Sequence, residues 1–161
     1  MPPDTEAVVA ALRRPPFPIF SLPDGTPGRR YVRGWHATGG LVTAVELAVF
    51  DEPADRIVIV SSSPRRPWGD LESADDALAH LALEVASQPE DLAAHAPERR
   101  SLALPIGPNL VTFGCTVHGR ISVLWSTHGP GILVQARNVA PDDIELVPLA
   151  DAGAYIEGSF S

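Results

Sequence analysis

The sequence predicts an α+β fold in which a predominantly antiparallel sheet is formed by two β-meanders. Two runs of short strands with alternating apolar residues, 29–62 and 101–149, support this prediction. A helical segment at 70–96 separates them, so strands and helices do not alternate as they do in parallel sheets. With a length of 161 residues, 45% of them hydrophobic, residues 1–161 are expected to form one globular domain.

The first 28 residues, 1–28, predict a short helix followed by a proline-rich arm. Asp4 or Thr5 can cap the helix, whose apolar stripe ends at Leu12 and is expected to pack weakly. Five prolines between residues 15 and 28 then enforce an extended path. The arm is expected to cover the sheet, and the alternative is a proline-rich ligand for another protein. The buriable side chains of the arm are Phe17, Ile19, Phe20 and Leu22.

The first meander is predicted to contain three strands. Residues 30–36 alternate, and a turn at 37–40 leads into a second strand at 41–50. This second strand is nearly all apolar, which is typical of a central strand with both faces covered. A loop at 51–55 precedes the third strand at 56–61.

One strong amphipathic helix is predicted at about 73–87, with Ser73 as its N-cap and acidic residues in its first turn. Its apolar side chains recur at helical spacing, so this stripe is expected to face the sheet. A second cap at Ser87 predicts a short helix that ends near His95. Asp151 can cap a last short helix in the C-terminal tail, residues 150–161.

The second meander is predicted to begin with a short strand at 101–105 and to continue with four strands between residues 110 and 149. Its turns are predicted at 107–109, 118–120, 127–131 and 141–143.

One outer face of this meander is predicted to be polar but nearly uncharged. A solvent-exposed sheet face normally carries more charge, so the arm, a helix or a second copy of the protein is expected to cover it. A homodimer or partner contact through this face follows as a hypothesis. The polar residues concerned are Thr112, Thr116, Ser122, Ser126 and Gln135.

The composition predicts a cytoplasmic protein that binds neither nucleic acid nor membranes. The net charge of −8 opposes binding to phosphate backbones and anionic lipid surfaces. No apolar run approaches the length of a membrane-spanning helix, and the N-terminus lacks a secretory signal. The single cysteine, Cys115, fits a reducing compartment. All 12 basic residues are arginine, as in proteins from GC-rich genomes, so an arginine by itself does not indicate a site.

The sequence contains no recognised catalytic or phosphate-binding motif, and no cofactor is predicted. The most suggestive irregular stretch is a predicted loop at 61–69. Its Arg65, Arg66 and Trp68 have the chemistry to bind an anion or to anchor a protein partner. For the loop taken by itself, a solvated loop whose Trp68 folds back on the core is the favoured interpretation, and the binding site is the alternative.

A pocket between the sheet and the helix is a second candidate site, which would use Trp35, His36, Cys115 and His118. A thiol and imidazoles can form a metal site or an activated nucleophile. Cys115 and His118 have opposite parity along the chain, however, so simple alternation points them apart. A buried inert thiol is therefore favoured, and no metal is predicted.

These observations favour a small acidic protein-interaction or regulatory module without catalytic activity, which binds a protein partner or self-associates. The alternative is a small-molecule-binding domain or minor enzyme with a pocket between the sheet and the helix.

Overall fold

The computed structural model describes the backbone of residues 3–39, 41–64, 98–104, 107–116, 119–126 and 131–149. Side chains are described for residues 6–39, 41–64, 131–140 and 142–149. Within these ranges the protein is α+β with antiparallel sheets, so the predicted fold class is confirmed. The predicted helices at about 73–87, after Ser87 and in the tail at 150–161 lie outside the described residues.

Seven strands form one sheet in the order β2-β3-β4-β8-β7-β6-β5, and β1 pairs with β9 in a separate two-stranded ladder. All pairs of neighbouring strands are antiparallel. The two predicted meanders thus meet edge to edge, through β4 and β8. The described elements are α1 (Pro3–Arg13), β1 (Phe20–Ser21), β2 (Arg29–Thr38), β3 (Leu41–Asp51), β4 (Arg56–Ser63), β5 (Glu98–Leu104), β6 (Gly107–Thr116), β7 (Gly119–Ser126), β8 (Gly131–Arg137), a 3-10 turn (Pro141–Asp143) and β9 (Val147–Pro148).

The first meander, β2 to β4, has the strands that the alternation predicts. β3 is central, and consecutive residues such as Ala44 and Val45 are both buried, which requires cover on both faces. β4 extends two residues further than predicted, because Ser62 and Ser63 pair with Ile132 and Gly131 of β8. These serines therefore belong to a strand, and the predicted loop at 61–69 begins too early.

Two ladders of the second meander extend further than the sequence predicts, and the turn predicted at 127–131 lies, except for Gly131, outside the described residues. The β5–β6 ladder extends to the pair Leu104 and Gly107, and the β6–β7 ladder extends to Thr116 and Gly119. Residues 107–109 and Gly119 therefore belong to the ladders. The turns predicted at 107–109 and 118–120 are therefore misplaced.

The register of β7 differs from the one that the sequence predicts. Val123 pairs with both Thr112 and Gln135, whereas Ser122 pairs with Phe113 and Ala136. Directly paired residues occupy the same face of a sheet. The predicted uncharged polar set is therefore divided between the two faces, because a one-residue slip moves every residue of a strand to the opposite face.

The helix α1 and the proline arm, residues 15–28, cover one face of the sheet, the arm face. Val8 and Leu12 of α1 are fully buried in a cluster with Val45 and Leu47 of β3, so the expectation of weak packing is wrong. The arm buries its predicted apolar residues, and this packing favours the covering arm over a proline-rich ligand. Those buried residues are Phe17, Ile19, Phe20 and Leu22.

Two further contacts hold the arm in place. The Phe20 N–H donates a hydrogen bond of 3.0 Å to the buried Ser62 hydroxyl of β4. The predicted last strand is reduced to β9, which pairs with β1 of the arm, and the Leu149 N–H donates to the Ile19 carbonyl at 2.8 Å. Pro148 lies at the end of β9, where a missing N–H donor is tolerated.

Candidate functional site

A cleft of about 340 Å³ opens at the end of the sheet where β3 turns into β4. It is bounded by the arm at 22–27, the hairpin at 49–58 and the segment 138–145 that follows β8. Buried apolar side chains form its floor, and charged side chains stand at its rim. This arm cleft is defined by its floor residues Leu22, Val49, Val58 and Ile144, and by its rim residues Asp51, Arg56, Asp143 and Glu145.

Arg30 of β2 fixes the wall that the arm contributes. The Arg30 side chain is 10% exposed and lies 4.0 Å from the carboxylate of Asp24. Its guanidinium donates hydrogen bonds to the Leu22 carbonyl, at 2.8 Å, and to the Pro23 carbonyl. The Pro23 carbonyl also accepts from the Thr26 N–H at 3.0 Å and from the Thr26 hydroxyl at 2.7 Å, which closes a turn. Arg30 thereby pairs the Leu22 carbonyl and adds a further donor to the turn that closes on the Pro23 carbonyl.

A second set of polar contacts joins the β3–β4 turn to the end of β8. Arg137 donates to the Asp55 carboxylate at 2.7 Å, and the Asn138 side chain donates to the Asp55 carbonyl at 2.7 Å. Asp55 and Asn138 both have left-handed backbone conformations, with φ of 49° and 61°. Asn and Asp tolerate this conformation better than most residues do. These contacts set the direction in which the segment 138–145 leaves the sheet and lines the cleft.

Two ion pairs hold other charged side chains near the cleft, whereas Glu52 in the β3–β4 turn, like the rim, has none among the described residues. Glu46 pairs with Arg33 at 2.9 Å, and Asp55 pairs with Arg137 at 2.7 Å. In the part of the chain that the structure describes, the side chains at the rim form no ion pair and no hydrogen bond. Three carboxylates and one guanidinium leave the rim with a net charge of about −2 at neutral pH.

The first site predicted from the sequence, Arg65, Arg66 and Trp68, lies outside the described residues. It stays a prediction, on a loop that can begin no earlier than the end of β4 at Ser63.

The second predicted site draws on residues from strands that are not neighbours in the sheet. Trp35 and His36 are neighbours on the edge strand β2, where Trp35 packs against the α1 cluster and His36 is exposed. Cys115 lies on β6, and His118 lies outside the described residues. Five strand spacings of about 4.8 Å separate β2 from β6, or about 24 Å along the sheet. The pocket that would combine Trp35 and His36 with Cys115 and His118 stays a prediction.

The outer edge of β2 is a second exposed feature. Its ladder with β3 is interrupted by irregularities between Val32 and Gly34 and between His36 and Ala37. Arg29 and Arg33 are exposed along the same strand. Bulges and charges are devices that discourage strand addition at a sheet edge. We therefore regard the arm cleft, and not this edge, as the leading candidate site.

The sequence pattern predicts only a loop at 51–55 and a turn at 141–143, and it does not identify the rim residues as a site. Charged residues beside these turns are a signal that the sequence does contain. Their convergence depends on the pairing of β4 with β8, which brings Arg56 and Asn138 to the same end of the sheet.

Comparison with known protein families, with curated proteins and with solved structures finds no match for this chain. Within the described ranges, no three His, Cys, Asp or Glu residues are grouped so that they could hold a metal ion. None of the described helices has the length and apolar character needed to cross a membrane.

Proposed function

We propose that the protein is a small cytoplasmic module without catalytic activity that binds a protein partner, and that the arm cleft takes part in this contact. The observation that carries the proposal is the combination of a buried apolar floor with a charged rim that lacks ion pairs among the described residues. Protein interfaces have this arrangement, an apolar centre that excludes water and a polar rim.

The anchored walls of the cleft support the same proposal. Arg30 fixes the arm, and Asp55 with Asn138 fixes the segment that follows β8. A site held in this way loses little conformational freedom on binding, which favours affinity. The loop with Arg65, Arg66 and Trp68 is proposed as a second contact for the same partner.

Affinity capture from the native host tests this function with paired variants of the full chain. The cleft variant carries Asp143→Asn and Glu145→Gln, and the control carries Glu6→Gln and Glu52→Gln, which are exposed acids outside the cleft lining. Both variants change the net charge by the same amount. We expect a partner that wild type and control capture equally and that the cleft variant captures at least fivefold less. Equal capture by all three proteins would exclude the cleft from partner binding.

The alternative function is small-molecule binding, and the cleft volume favours it as a second candidate. About 340 Å³ lies at the lower end of the range for ligand pockets, roughly 300–1,000 Å³. A metabolite that raises the melting temperature of wild type and control, but not of the cleft variant, would support this alternative. It would displace the protein-partner proposal if capture also showed no cleft-dependent protein.

A further inference from the structure

We propose that the occupant of the arm cleft is an arginine side chain from an exposed peptide segment of the partner protein. This inference rests on the proposed function and specifies the chemistry that the cleft recognises. The shape of the cleft, its apolar floor and its charged rim support this occupant.

The cleft floor favours a side chain with an apolar stem. Val49, Val58 and Ile144 are buried and present hydrocarbon surface at the base of the cleft. Arginine and lysine can lay their methylene groups along such a surface while the charged head stays near the rim. A volume of about 340 Å³ is sufficient for one long side chain with part of its backbone.

The rim selects the charge of the occupant. Asp51, Asp143 and Glu145 outnumber Arg56, and no described residue neutralises them by an ion pair. A cationic head would gain charge-assisted hydrogen bonds from these carboxylates. A neutral occupant would desolvate carboxylates without replacing the lost hydrogen bonds, and an anionic one would meet like charge.

Arginine fits this rim better than lysine. A guanidinium presents five donors in a planar arrangement, so it can bind two carboxylates at once, and it loses hydration more easily than an ammonium does. The rim carboxylates come from two separate parts of the chain, Asp51 from β3 and the other two from the segment after β8. A side chain that contacts carboxylates on both elements therefore needs hydrogen-bond donors that point in different directions.

Selection from a random peptide library tests the proposal. Wild type, the Asp143→Asn, Glu145→Gln cleft variant and the Glu6→Gln, Glu52→Gln control are each used as bait. We expect at least threefold enrichment of arginine at one peptide position with wild type and control, and none with the cleft variant. Enrichment of peptides without arginine, or no enrichment by wild type, would overturn the proposal.

The best selected peptide is then measured by fluorescence anisotropy. Replacing its enriched arginine by citrulline, a neutral residue of the same shape, is expected to weaken binding at least tenfold, and replacement by lysine at least threefold. The cleft variant is expected to bind the original peptide at least tenfold more weakly than the control does. Equal binding of the arginine and citrulline peptides would refute an arginine occupant.

Two further outcomes separate this inference from the proposed function. A host partner captured in a cleft-dependent manner, together with selected peptides that lack arginine, would leave the function standing and overturn the occupant. Sedimentation showing a wild-type dimer that the cleft variant loses would identify a second copy of this chain as the occupant, with its exposed Arg13 and Arg14 as candidate donors. That result would overturn the proposal of a different partner protein.

Discussion

Gly28 is the residue at which the arm turns into β2, and its backbone conformation is one that side chains rarely adopt. Its φ is +126°, and a Cβ added there would lie 2.9 Å from the Phe50 carbonyl oxygen of β3. Both obstacles are backbone features, so rotation of a side chain cannot relieve them. The glycine therefore permits the close approach of the arm to the sheet next to the cleft.

Gly28→Ala is expected to lower the free energy of unfolding by about 1–3 kcal/mol, because the alanine is strained in the native state. Gly25→Ala is the matched control, since Gly25 lies in the turn of the same arm and an added Cβ would meet nothing within 4 Å. Its effect is expected to stay within about 0.5 kcal/mol. Urea unfolding followed by circular dichroism measures both. A Gly28→Ala variant as stable as Gly25→Ala would show that the arm can shift without cost.

The proline arm depends on side chains for its hydrogen bonds over much of its length, because its prolines lack N–H donors. Arg30 supplies two of these bonds, and the Ser62 hydroxyl accepts a third from Phe20. The N–H of Leu149, directly after β9, donates a fourth bond to the Ile19 carbonyl. The hydrogen bonds that hold the arm to the rest of the protein therefore involve the Phe20 N–H and the carbonyls of Ile19, Leu22 and Pro23.

Arg30→Lys is expected to destabilise the protein by about 1–2 kcal/mol, because one ammonium does not reproduce the bonds of the guanidinium to the Leu22 and Pro23 carbonyls. Arg29→Lys is the control. Arg29 is exposed, and its guanidinium lies over the Tyr31 ring, 5.0 Å from the ring centre. Because a lysine keeps a positive charge at this position, the replacement is expected to be nearly neutral. Hydrogen exchange should show faster exchange at 17–22 in Arg30→Lys alone. Unchanged exchange there would mean that the arm does not depend on Arg30.

The elements themselves were largely predictable from local patterns, and their register was not. Alternation located β2, β3 and β4, and proline spacing with apolar residues indicated a covering arm. The register of β7 depends on whether two or three residues connect it to β6, and Val117, His118 and Gly119 are all plausible in a turn. A three-residue turn at 118–120 predicts Thr112 and Ser122 on one face, whereas the structure pairs Thr112 with Val123.

At the scale of the whole molecule, the arm cleft depends on contacts between parts of the chain that are distant in sequence. The β4–β8 pairing joins residues such as Ile57 and Arg137, which are separated by 80 positions. Local patterns carry no information on such a pairing, because many strand orders satisfy the same alternation. Asp51 and Asp143 can be read from the sequence, but only the order of the strands shows that they line the same cleft. The same order separates Trp35 from Cys115, which the sequence had grouped.

The sheet order also predicts that the two meanders unfold together. β4 and β8 are joined by a ladder of seven residue pairs near the middle of the seven-stranded sheet, and the arm face core includes Val58 and Val134 from both strands. Separation of the meanders would expose this core and break the ladder, so neither meander is expected to remain folded without the other. This cooperativity would support the prediction that residues 1–161 form one domain.

Two variants with one tryptophan each can test this coupling, since β2 and β7 carry tryptophans at well-separated sheet positions. Trp68→Phe with Trp125→Phe leaves Trp35, and Trp68→Phe with Trp35→Phe leaves Trp125. Within each variant, the urea midpoints from tryptophan fluorescence and from far-ultraviolet circular dichroism are expected to coincide, because one transition disrupts the whole sheet. A fluorescence midpoint that departs from the dichroism midpoint in either variant would show that the meanders unfold as separate units. The arm cleft, whose walls come from both meanders, would then lose one wall before the other under mild destabilisation.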